Sequence, residues 1–176
     1  MKLIKSIDPV KLINPLKPIK AGAAATVVAL ALAGLAVSAP TAGASGTKLS
    51  QATAASQFRS AGITWSSSGG CTTRSDPTCT SFEQINSGTV STIITLKQSS
   101  GCAINITGGT EVGHASGTYS HYNGYKVDIS RNSCIDGYIQ NSFTYIGLRG
   151  DGYPQWKAAS GNLYCNEGSH WDILVY

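Results

Sequence analysis

The stretch Ser120-His121-Tyr122-Asn123-Gly124-Tyr125-Lys126-Val127-Asp128 runs from an aromatic, turn-prone loop into a short alternation of apolar and charged residues. Tyr125 to Ile129 has the period-2 pattern of a strand, and Gly124 lets the backbone turn just before it. His121 and Asp128 stand seven residues apart, so one helical face does not present both; a loop feeding a strand does. A second cluster, Glu167-Gly168-Ser169-His170-Trp171-Asp172, again sets ionisable groups beside strand-like apolar residues. A catalytic zinc ion takes three protein ligands from His and carboxylates and keeps a fourth position open, so His121, Asp128 and His170 make a chemically complete set. Glu167, three residues before His170, is placed to take a proton from water at the metal, the position of a general base.

Working outward, Cys102 to Thr107 is β-branched and alternating and stops at Gly108-Gly109, which predicts a strand. Residues 45–60 predict a short helix, with Ala54, Ala55 and Phe58 at helical spacing. Ser81 is the expected cap of a second helix carrying Phe82, Ile85, Val90, Ile93, Ile94 and Leu96, ended by Gly101. Cys134 to Phe143 predicts a third helix, with Ile135, Tyr138 and Ile139 on one face. Two further strands are expected at Asn162 to Cys165 and Trp171 to Tyr176. The elements together predict an α+β fold, a small antiparallel sheet flanked by helices.

The first 44 of the 176 residues read as an export signal: Lys2, Lys5, Lys11, Lys17 and Lys20, then an Ala/Val/Leu/Gly run to Val37, then Ala42-Gly43-Ala44 as a cleavage signature. The apolar run is shorter than the roughly 20 residues of a spanning helix. Residues 45–176 are then a single secreted domain in the cell-wall space, without stable membrane association. Setting aside the five Lys and one Asp of residues 1–44 reduces the chain's 13 Lys and Arg and 9 Asp and Glu to 8 and 8. A formally neutral chain gives no footprint for nucleic acid. The five cysteines, Cys71, Cys79, Cys102, Cys134 and Cys165, predict two disulfides and one thiol in an oxidising compartment. Cys71 and Cys79, flanking a Pro-containing loop, are the expected pair; the other pairing is not legible.

These residues resemble the zinc D-alanyl-D-alanine carboxypeptidases and dipeptidases, whose fold is shared with hedgehog signalling domains. The family hallmark is SxHxxGxxxD followed far downstream by ExxH. His121, Gly124 and Asp128 match in type and spacing, Glu167 to His170 matches the second half, and the serine is displaced to Ser120. The match spans about Ile104 to Val175. The resemblance implies a hedgehog-like metallopeptidase fold, zinc on His121, Asp128 and His170, Glu167 as catalytic base, and a peptide bond of peptidoglycan stems as substrate.

The family carries an arginine just after the strand preceding the metal loop, and here that place reads Thr107-Gly108-Gly109-Thr110-Glu111-Val112-Gly113-His114. His114, Lys126, Arg74 and Arg131 are the candidate replacements, and His114 is taken as a second catalytic residue. Glu111 either orients a histidine or is a solvated loop carboxylate. By strand alternation Lys126 is expected to point to solvent and Trp171 into the core. The expected function is a monomeric, secreted zinc peptidase of the cell wall, acting as carboxypeptidase or endopeptidase. The alternative is a zinc-containing cell-wall-binding module of the same fold without catalysis.

Overall fold

In a computed structural model, residues 46–176 are described. The expected export signal, residues 1–44, lies outside the described residues. Among the described residues, no helix is long and apolar enough to cross a membrane.

The elements in chain order are β1 (Lys48–Leu49), α1 (Gln51–Ser60), β2 (Thr64–Trp65), β3 (Ile85–Asn86), α2 (Ser87–Ser100), β4 (Asn105–Gly108), β5 (Lys126–Ser130), α3 (Ser133–Ser142), β6 (Thr144–Leu148), β7 (Pro154–Lys157), β8 (Leu163–Asn166) and β9 (His170–Leu174). The α+β class holds, but the sheet is neither small nor purely antiparallel. Seven strands lie in the order β2-β4-β5-β9-β8-β7-β6, and β1 and β3 form a separate pair. Strand β2 pairs parallel to β4, while the other neighbours in the large sheet are antiparallel.

All three helices pack on one face of this sheet. Ala54, Ala55 and Phe58 of α1, Val90, Ile93 and Leu96 of α2 and Ile135 and Ile139 of α3 join Ile106, Val127, Ile129, Tyr164, Trp171 and Ile173 in one buried cluster. Successive strand side chains point to opposite faces. If Val127, Ile129, Trp171 and Ile173 face the helices, then Lys126, Asp128, His170 and Asp172 must face the other way.

The second helix starts later than Ser81. Gln84 has a positive φ of 65° and Asn86 is extended, so the chain makes β3 before the helix begins at Ser87. Phe82 and Ile85 are fully buried all the same, which is why they mimic helical spacing. Gly101 ends the helix in the left-handed conformation, as its position predicts. Disulfides join Cys71 to Cys79 and Cys102 to Cys134, leaving Cys165 as a buried thiol. The second bridge ties the segment before β4 to α3.

Candidate metal centre

Register brings the site together on the open face of the sheet. Asp128 lies opposite Asp172, and Ser130 opposite His170, along β5 and β9. On the far side of β9 the chain turns through Gly168, whose φ is 85°, and the Glu167 N–H donates to the His170 carbonyl at 3.0 Å. The ExxH spacing thus works through a two-residue hairpin turn. It sets Glu167 beside His170, with Oε2 3.3 Å from Nε2.

The loop 109–125 brings the remaining groups over β5. Ser120 caps a turn in it, accepting the Asn123 N–H at 3.2 Å, while the Gly124 N–H donates to the His121 carbonyl at 2.7 Å. Gly124 has a φ of 76°, and a Cβ there would meet the Gln84 carbonyl at 2.6 Å and the Asn86 nitrogen at 2.9 Å. Glycine is therefore required for the backbone conformation and for the close approach of β3. Gly108, opposite Asp128, is required for space: a Cβ would meet Asp128 Oδ2 at 2.5 Å.

Three histidines surround Asp128. His121 Nε2 is 3.3 Å from Oδ1, His170 Nε2 is 3.6 Å from the same oxygen, and His114 Nδ1 is 3.8 Å from Oδ2. The other nitrogen of each ring is engaged. His121 Nδ1 lies 2.9 Å from the Gly109 carbonyl, His114 Nε2 lies 3.0 Å from Glu111 Oε1, and His170 Nδ1 lies 2.9 Å from the Ser169 hydroxyl. A carbonyl only accepts, so Nδ1 of His121 carries the hydrogen and a neutral ring turns the bare lone pair of Nε2 toward Asp128. Oδ1 of Asp128 and Oδ1 of Asp172 are buried without a hydrogen-bond partner. The latter lies 3.8 Å from the same Nε2.

Lone pairs facing lone pairs need a cation or a proton between them. In the metal-free chain the proton serves: burial alone lowers the His121 pKa, but Asp128 and Asp172 outweigh it and raise the pKa above the ordinary value. Burial likewise works to raise the Asp128 pKa, and the His121 contact overrides it, holding the carboxylate low. His114, His121 and Asp128 offer ligand atoms all within 4.8 Å of one another. The donor types, two imidazoles and a carboxylate with an orphaned oxygen, suit a divalent metal, and His170 adds a third imidazole at the same carboxylate.

Of the expected ligands, His121 and Asp128 are thus buried together and His170 stands at their edge, its side chain 27% exposed. His114 stacks on His121 with centroids 3.9 Å apart and planes at 15°. Glu111, left open by the sequence, proves to be a buried anchor. Besides His114 it accepts the Ser81 N–H at 2.7 Å and the Gly109 N–H at 3.0 Å. Burial would raise its pKa, and these hydrogen bonds together hold it below the ordinary carboxylate value.

Two expectations about cations are corrected. Lys126 does not point away into solvent, because strand alternation puts it on the same face as Asp128, where it pairs with Asp172 at 2.6 Å. Arg131 is spent on Asp136, which also accepts the Trp171 indole N–H at 2.7 Å. Arg74 donates to the Tyr122 carbonyl and stacks on that ring at 3.8 Å. Tyr122 lines a cleft of about 290 Å³ together with Glu111, Val112, His114 and Ser120.

One residue at the site has no counterpart in the sequence reading. Arg149, after β6, reaches Glu167 Oε1 at 2.5 Å and Asp172 Oδ2 at 2.9 Å, with Asp151 behind it. Its one trace in the sequence is the Gly150-Asp151-Gly152 segment, whose residue types suit a hairpin turn. Comparisons of the chain with family models, with curated proteins and with solved structures found no match.

Proposed function

We propose that the chain is a zinc-dependent peptidase acting on the peptide stems of peptidoglycan, with His121, Asp128 and His170 as ligands and Glu167 as general base. The observation that carries the metal assignment is the pair of buried, partnerless oxygens of Asp128 and Asp172 facing the lone-pair nitrogen of His121. Among the described residues Asp128 and Glu111 pair with no permanent cation, only with histidines, while Lys126 and Arg149 pair with Asp151, Glu167 and Asp172, an imbalance that further favours a cation. The substrate class, the hedgehog-like fold and the cell-wall location rest on the resemblance in HxxGxxxD and ExxH and on the export-signal reading.

Stacking argues for His170 over His114 as the third ligand. An imidazole lone pair lies in the ring plane, and a zinc–nitrogen bond is about 2.0–2.1 Å long. Two parallel rings 3.9 Å apart do not both aim at one ion in that way. His170 meets the same Asp128 oxygen as His121, at 3.6 Å, but stands outside the 4.8 Å group of His114, His121 and Asp128 and has to swing in to share the ion.

When bound, zinc would polarise the scissile carbonyl and bring the pKa of a water toward ~7. Glu167 takes the proton of the attacking water through Oε2 and returns it to the leaving amine. Glu111 holds His114 by Nε2, so His114 turns Nδ1 inward and contacts the substrate from the cleft wall. Arg74, which stacks on the cleft residue Tyr122 and donates to its carbonyl, would meet substrate charge in place of the family's arginine.

Metal analysis of the purified chain, joined to digestion of defined muropeptides, tests this reading. About one zinc per chain and release of an amino acid or peptide from the stem are expected. A chain without metal overturns the site assignment. A zinc-loaded chain that cuts no stem peptide and still binds cell wall is instead the non-catalytic module.

A further inference from the structure

We propose that Arg149, braced by Asp151, is a positioning residue for Glu167: it fixes that carboxylate with one oxygen turned to His170 and keeps it out of the ligand set. This rests on the reading of Glu167 as the base.

The turn that carries Arg149 is closed by its own N–H donating to the Tyr153 carbonyl at 2.7 Å and by the Gly152 N–H donating to its carbonyl at 2.8 Å. Strand β6 is the edge of the sheet, separated from β9 by β7 and β8. The guanidinium nevertheless meets Asp172 of β9, at 2.9 Å. Asp151 takes Nε and Nη2 at 2.9 and 2.5 Å, which orients the fork. Nη1 is left for Asp172, and Nη2 also meets Glu167 Oε1.

Asp151 is half exposed, so its pairing with Arg149 is worth little as a stabilising contact. What the arrangement does supply is direction. With the fork held by Asp151, the single Nη2 contact on Oε1 of Glu167 leaves the other oxygen in a defined place, here 3.3 Å from His170 Nε2. Glu167 lies as close to a candidate ligand as Asp128 does, and a free carboxylate there would compete for the metal. The ion pair with Arg149 sets the base apart from the ligands.

The test is a double-substitution cycle of Arg149→Met and Glu167→Gln, read in two ways. In metal-free protein, the effects on the unfolding equilibrium should be non-additive by about threefold or more, the scale of coupling between contacting charged side chains. By chelator competition, Arg149→Met should tighten zinc about fivefold or more when Glu167 is present and leave affinity nearly unchanged in the Glu167→Gln background. Additive unfolding effects overturn the proposal, and so does an equal gain in zinc affinity in both backgrounds, which marks Arg149 as a repelling charge only. In hydrolysis, kcat should fall with KM within about twofold, and Arg149→Lys should not rescue it, because an ammonium lacks the fork. Asp151→Asn, at an exposed position, gives the same direction if Arg149→Met fails to fold. A wild type without zinc or hydrolysis removes the proposed function; the metal-free cycle still decides whether Arg149 holds Glu167.

Discussion

The two faces of strands β5 and β9 obey opposite rules although they alternate along the same backbone. Toward the helices, Val127, Ile129, Trp171 and Ile173 are fully buried, and the one polar atom on Trp171 finds Asp136. On the other face Asp128 and Asp172 are also buried, yet each keeps an oxygen without a partner. An unpaired buried acceptor costs about 1–3 kcal/mol, and a charged one more. A fold tolerates that cost where the group has work to do, so the contrast separates residues that hold the sheet from residues that use it.

The comparison breaks first at Asp128. Replacing it with Ala should abolish zinc binding and reduce hydrolysis to background, with the fold retained in circular dichroism; full zinc and full turnover would remove Asp128 from the ligands. Next in size is Glu167→Gln, which should keep about one zinc per chain while turnover falls about 10²–10⁴-fold, as expected for loss of a general base. On the helix side, Trp171→Ala should cost about 3–5 kcal/mol of unfolding free energy, measured with denaturant. A cost below 1 kcal/mol would show that this face is not what holds the sheet.

The smallest effect is the most informative about pH. Glu111→Gln should cost about 1–3 kcal/mol near neutrality, because backbone N–H groups at Ser81 and Gly109 lose a charged acceptor. The Glu111 pKa is lower folded than unfolded, so its contribution is full above the unfolded value near 4.5 and disappears as pH falls through the folded value. Wild type and Glu111→Gln should therefore converge in stability in acid. Parallel stability curves down to pH 2 would show that Glu111 is not held in this way.

The part of this contrast that was legible in the sequence is the part written in period 2. Val127 and Ile129 alternate with Lys126 and Asp128, and Trp171 and Ile173 with His170 and Asp172, so strands and site residues come from one pattern. Strand β6 was invisible for the complementary reason. Tyr145, Ile146 and Leu148 are all exposed at the sheet edge, so no buried face imposes an alternation, and β7 begins with a proline. With that hairpin went Arg149. The parallel pairing of the two-residue β2 and the Cys102–Cys134 bridge joined segments distant in sequence, about which local pattern says nothing. Gly124 was legible from its place between His121 and Asp128, although its contact with β3 was not.

The odd thiol has a consequence for how the chain matures. Cys165 is buried in β8 beside Asp172, and burial pushes its pKa up to about 11, against the pull of Arg149. At pH 7 only about one molecule in 10⁴ would then carry the thiolate, the form that attacks disulfides. Once folded, the protein keeps its fifth cysteine sulfur from scrambling the bridges Cys71–Cys79 and Cys102–Cys134. Before folding, the same thiol is an ordinary competitor for both, so correct pairing is a race that closure of strands β7, β8 and β9 around Cys165 brings to an end.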